Sequence, residues 1–99
     1  MGENEIQEHE TELSNLMRNL RRLQNEAIAS ERFEDASELQ TSILACLNAA
    51  RDSTGLNAEL ITTIRNCFQR LYRKNRNKGN NAIADMFHTY VEDFQLVMQ

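Results

Sequence analysis

The sequence predicts an all-α protein, a four-helix bundle with short loops. Three observations carry that expectation. Proline, which breaks helix interiors, is absent from all 99 residues. Valine, a strand former, appears only at Val91 and Val97. Apolar side chains return every three or four positions along four separate stretches, the period of a helix with one buried face. One domain is expected at this length, burying roughly two thirds of its unfolded surface. Residues 1–10 read as an acidic, partly frayed N-terminal segment and residues 11–99 as a single bundle.

The first helix is expected from about Glu5 or Glu10 to Ser30. Its stripe is Leu13, Leu16, Met17, Leu20, Leu23, Ala27 and Ile28. The pattern changes phase across Ser30–Asp35 without a Gly or Pro, and Asp35 is a candidate cap for the second helix. That helix carries Ala36, Leu39, Ile43, Leu44, Cys46, Leu47 and Ala50, and Phe33 is placed to staple the turn against Leu39 or Ile43. Gly55 punctuates its end, since glycine takes the left-handed conformation that closes a helix. Asn57 or Thr54 then caps the third helix, expected over Asn57 to Asn75. A Gly- and Asn-rich turn comes next. The fourth helix starts near Asn81, with Ile83, Met86, Phe87, Tyr90, Val91, Phe94 and Val97 on one face. No internal repeat is evident.

The formal charge is −4 and unevenly spread. Residues 1–13 hold five Glu and no Lys or Arg, whereas residues 65–78 hold six Lys or Arg and no acid. An acidic total argues against general affinity for duplex nucleic acid, which draws on many phosphate contacts. No run of 18 apolar residues suggests a membrane span. The acidic start does not read as a secretory signal, and Ile6 stands where a myristoylation motif needs Ser or Thr. Cys46 and Cys67 fall on apolar faces and read as reduced core residues of an intracellular protein, nuclear or cytoplasmic.

Nucleophilic catalysis needs a base beside the nucleophile, and neither His9 nor His88 shares a local motif with a cysteine. No Cys-x-x-Cys or His-x-x-x-His spacing offers a metal site. The protein is therefore read as a non-enzyme without cofactor or metal. The distinctive chemistry is Arg70, Arg73, Lys74, Arg76 and Lys78. The first three form a ridge at i, i+3, i+4, and the last two extend it into the loop. Cations at a helix C-terminus complement the dipole, which is a sufficient structural reason for them. The functional alternative is an anion-recognising surface, for which the guanidinium fork suits carboxylate or phosphate.

Two resemblances bear on function. Gln24-Asn-Glu-Ala-Ile-Ala-Ser-Glu-Arg-Phe-Glu-Asp-Ala-Ser-Glu-Leu39 resembles the UVR motif of bacterial excision-repair proteins, which implies a helical hairpin turning near Phe33. Over about Leu13 to Phe94, the helix order is similar to another family. That family comprises the transcription elongation factor S-II N-terminal domains and integrase-binding domains. The likeness rests on Glu59-Leu-Ile-Thr-Thr-Ile64 with its basic end, and on Asn81-Ala-Ile-Ala-Asp-Met-Phe-His-Thr-Tyr-Val-Glu-Asp-Phe94. It implies a small helical bundle of nuclear transcription complexes that binds short peptides at interhelical loops. The contacts it implies are Phe33 and its neighbours at the first turn, and Arg73 to Lys78 at the third. The expectation is a peptide- or helix-binding interaction module whose partner offers apolar residues and an acidic flank. A self-associating adaptor bundle and a nucleic-acid accessory protein are the alternatives.

Overall fold

The structure, a computed structural model, describes residues 2–98, with side chains described for residues 12–92. It is all-α: α1 (Gly2–Ala29), α2 (Phe33–Arg51), α3 (Ala58–Asn77) and α4 (Asn81–Met98), with no strand among the described residues. The acidic start is helical backbone within α1; the side chains of Ile6 and His9, like those of Phe94, Val97 and Met98, lie outside the described set. The chain divides into two compact units, Met1–Leu60 and Ile61–Gln99.

Hairpin 1 packs α1 against α2. Leu20, Leu23 and Ala27 of α1, and Ala36, Leu39, Ile43 and Cys46 of α2, are buried. Hairpin 2 is built on aromatic rings. Phe68 of α3 lies 5.8 Å from Phe87 and 5.4 Å from Tyr90 of α4, centroid to centroid. Such pairs add about 0.5–1.5 kcal/mol beyond the area they bury.

The three helix ends close in one way. After α1, the Arg32 amide donates to the Ala27 carbonyl at 2.7 Å and the Glu31 amide to Ile28 at 3.0 Å. After α2, Thr54 donates to Ala49 at 3.0 Å and Ser53 to Ala50 at 3.3 Å; after α3, Asn80 donates to Asn75 at 2.8 Å and Gly79 to Arg76 at 3.1 Å. Each is a Schellman closure, which satisfies carbonyls the helix would otherwise orphan. It needs one left-handed residue, and these are Glu31 (φ 59°), Ser53 (φ 57°) and Gly79 (φ 84°). Gly55 is left-handed too, but two residues past the α2 closure that the sequence assigned to it. Asn57 caps α3 as expected, its Oδ1 accepting the Leu60 amide at 2.8 Å.

Two of these joints match residue for residue in their backbone hydrogen bonds. Ser30-Glu31-Arg32 joins α1 to α2, and Lys78-Gly79-Asn80, 48 positions on, joins α3 to α4 with the same hydrogen bonds. The correspondence runs through the hairpins. Buried positions 13, 20, 23, 27, 36, 39 and 43 recur, all buried, at 61, 68, 71, 75, 84, 87 and 91. The cross-hairpin pair Gln24–Gln40, bonded at 2.8 Å, recurs as the ring pair Tyr72–His88 at 5.2 Å. The sequence therefore hides an internal repeat. Only Leu23/Leu71 and Ala36/Ala84 are identical among those buried pairs, and the left-handed residue is Glu in one copy and Gly in the other.

The left-handed joint sets a test. A Cβ at Gly79 would meet nothing within 4 Å, so Gly79→Ala carries the left-handed backbone strain, about 1–2 kcal/mol, less the unfolded-chain entropy that alanine removes, for a net loss of about 0.5–1 kcal/mol. Glu31→Gly relieves the same strain, less the entropy glycine adds to the unfolded chain, for a net gain of about 0.5 kcal/mol. Urea midpoints should move in opposite directions for the two variants, with unchanged slopes.

Candidate functional site

The α1–α2 joint differs in chemistry from its sequence reading. Arg32, not Asp35, occupies the N-cap, and it makes no side-chain cap bond. Asp35 sits a turn inside α2 with its side chain only 3% exposed, and accepts a 2.8 Å bond from Arg32 Nη1. This partly buried ion pair is charge-assisted and short. Phe33 does not staple the turn. It lies about 120° around the helix from Leu39 and is 63% exposed. The inward side of α2 is taken by Asp35, Ala36, Leu39 and Ile43.

Phe33 is not isolated. The large apolar side chains exposed among the described residues are Ile28 (48%), Phe33, Leu44 (49%) and Leu47 (40%), all in hairpin 1. The sequence counted Ile28, Leu44 and Leu47 in buried stripes; the hairpin leaves them outside. The Gln24–Gln40 bond shows which flanks of α1 and α2 share a side of the hairpin. Ile28 is one turn from Gln24, Leu44 one turn from Gln40, and Phe33 and Leu47 two turns either way from Gln40. All four therefore share that face. Gln24 Nε2 is further tied to the Ala36 carbonyl at 3.2 Å, fixing a polar bridge in the middle of the apolar surface.

The basic residues lie on hairpin 2. Arg70, Arg73, Arg76 and Lys78 are exposed and Lys74 half-buried. Because α3 continues to Asn77, Arg76 is helical rather than part of the loop, and Lys78 is the closing residue, its amide bonded to the Lys74 carbonyl at 3.1 Å. The helix splits the run. Arg70 and Lys74 are one turn apart on one side, and Arg76 is about 160° from Lys74 but about 60° from Arg73. Arg76 turns to Tyr72: its Nη1 donates to the phenol oxygen at 2.9 Å and its guanidinium carbon lies 6.0 Å from the ring centroid. Tyr72 is half-buried and also meets His88, whose Nδ1 lies 3.5 Å from Glu92 Oε1. The sequence missed this cluster because its members come from two helices; the shared 48-residue spacing with Gln24 and Gln40 is the signal that would have found it.

Among the described residues no three His, Cys, Asp or Glu side chains gather as a metal set, and no helix is long and apolar enough to cross a membrane. Cys46 and Cys67 are buried and form no disulfide.

A family model, the UvrB/uvrC motif (UVR), matches residues 14–45. The matched span is the α1 arm, the joint and most of the α2 arm of hairpin 1, so the chain is similar to that motif over its first hairpin. The resemblance to the elongation-factor family finds no such support. No curated protein and no solved structure matches the chain.

Burial pushes the Cys46 thiol up from 9.0 to about 11. At pH 8 its thiolate fraction is then about 100-fold below that of an ordinary thiol. Mass spectrometry after iodoacetamide treatment should find Cys46 unmodified in the folded protein and fully alkylated in guanidinium chloride. Rapid native labelling at Cys46 would contradict its burial.

Proposed function

We propose that the protein is a non-enzymatic interaction module. It docks a helix or peptide of a partner on the apolar face of hairpin 1, and its basic α3–α4 end meets an acidic flank of that partner. The observation that carries the reading is the gathering of Ile28, Phe33, Leu44 and Leu47 on one hairpin face. Isolated exposed apolar residues need no explanation, but four on one face, set on either side of a fixed polar bridge, are costly to leave in water. Burying one such side chain is worth about 1.5–3 kcal/mol, enough for Phe33 to act as an anchor. The Arg70–Lys78 cations would add steering and orientation more than affinity. The match to the UvrB/uvrC motif supports a hairpin as the working unit.

A second reading, self-association, is favoured by one observation. α2 carries an exposed acid, Glu34, in its first turn and a base, Arg51, in its last. Antiparallel pairing with a second copy would set Glu34 opposite Arg51 twice, with the helix dipoles opposed. A nucleic-acid role would draw on the same cations as the acidic flank, and would show as co-purifying nucleic acid released by salt.

The deciding experiment is a screen of amphipathic peptides against the purified chain, alongside its solution mass. The module reading expects a monomer that binds peptides carrying apolar and acidic residues. Phe33→Ser should weaken binding at least tenfold without loss of helicity, and raised salt should slow association. A monomer that binds no peptide overturns the reading, and a dimer dissociated by Leu44→Ser replaces it with self-association.

A further inference from the structure

The repeat places Arg76 where hairpin 1 has Ile28, Tyr72 where it has Gln24, and His88 where it has Gln40. The two hairpins thus keep one face at equivalent positions and give it different chemistry. We propose that the Tyr72–Arg76–His88 face of hairpin 2 is a carboxylate-binding site for an acidic peptide segment. The proposal rests on the module reading and says which of its cations does the recognising.

Pre-organisation singles out Arg76. A long cationic side chain loses rotamer freedom when it grips an anion, which weakens exposed ion pairs. Arg76 has given up much of that freedom in the free protein: its Nη1 is held by Tyr72 Oη at 2.9 Å and its plane lies near the ring. One of its five N–H donors is used there, leaving a fork for a bidentate carboxylate. Its backbone is fixed as well, because its carbonyl accepts the Gly79 amide of the helix closure.

The surroundings add to this. Tyr72 is buttressed by His88 from α4, at 5.2 Å between rings, so both helices of the hairpin hold the site. Arg73, exposed and one turn back, supplies a second cation on the same flank. Arg70 and Lys74 lie about 120° and 160° around α3 from Arg76, and Arg70, Lys74 and Lys78 already take part in interactions. Glu92, 3.5 Å from the His88 ring nitrogen, and the chain's net charge of −4 disfavour a long polyanion and suit a short acidic segment.

The test uses the full chain with octaglutamate as probe, followed by two-dimensional NMR of backbone amides, arginine Nε and the His88 ring. Saturable shifts are expected at Tyr72, Arg73, Arg76 and His88. Arg76→Gln should weaken octaglutamate at least tenfold, Tyr72→Phe severalfold by freeing Arg76, and Lys74→Gln less than twofold. All three side chains are at the surface or half-buried, and circular dichroism checks that helicity is kept. Shifts confined to Arg70, Lys74 and Lys78, or equal losses from Arg76→Gln and Lys74→Gln, overturn the proposal. Octauridylate binding more tightly than octaglutamate also overturns it, in favour of RNA. Failure here with Phe33-dependent peptide binding intact removes this site alone; loss of the Phe33-dependent binding with octaglutamate still bound removes the module reading instead.

Discussion

A helix that must turn back on itself within three residues has to find partners for its last carbonyls while reversing direction. A single left-handed residue does both here, at Glu31, Ser53 and Gly79. Each donates its own amide back to the helix and lets the next residue's amide reach one step further. At the two intra-hairpin joints that next residue is also the cap of the following helix. The distance and phase between paired helices then follow from the backbone. Leu23, Ala27, Ala36 and Leu39 are then buried within hairpin 1, and Leu71, Asn75, Ala84 and Phe87 within hairpin 2. Asn75 is buried at the second joint and stays satisfied, its Nδ2 donating to the Leu71 carbonyl at 2.8 Å and its Oδ1 accepting from Asn80 at 3.2 Å.

The helices were legible because periodicity reports burial directly, and four stretches show it. Their ends were less so. Gly79 announced its turn, but glutamate and serine carry no such signal, so the ends at Glu31 and Ser53 had to come from the structure. The apolar stripes were also read too wide. Helical spacing identifies the apolar side of α2, but not that Leu44 and Leu47 fall past the edge that α1 covers. Linear order misled in the opposite sense at the basic run. Arg76 is two residues from Lys74, yet faces away from it and joins Tyr72 and His88. The repeat escaped notice because burial tolerates exchange among Leu, Ile, Phe and Val. Equivalence survives in position and hydrogen bonding where identity has gone.

That exchange also separates the two faces. At three corresponding places hairpin 1 carries Ile28, Gln24 and Gln40, and hairpin 2 carries Arg76, Tyr72 and His88. Apart from Ala27, which becomes the buried Asn75, the core positions keep their apolar character between copies while these surface positions do not. Packing constrains the former, and water leaves the latter free to take up apolar or cationic roles.

The short joints also bear on how quickly the native contacts are found. Packed pairs near a joint, such as Gln24 with Gln40 or Phe68 with Phe87, are joined by a brief stretch of chain. Loop closure therefore costs little entropy before the contact forms, and helical proteins of low contact order reach their folded state on the order of microseconds to milliseconds. During synthesis hairpin 1 emerges ahead of hairpin 2, so its helices are free to meet while the second copy is still being made. Tandem repetition thus orders assembly in time, with each copy's internal contacts formed in turn from the N-terminus.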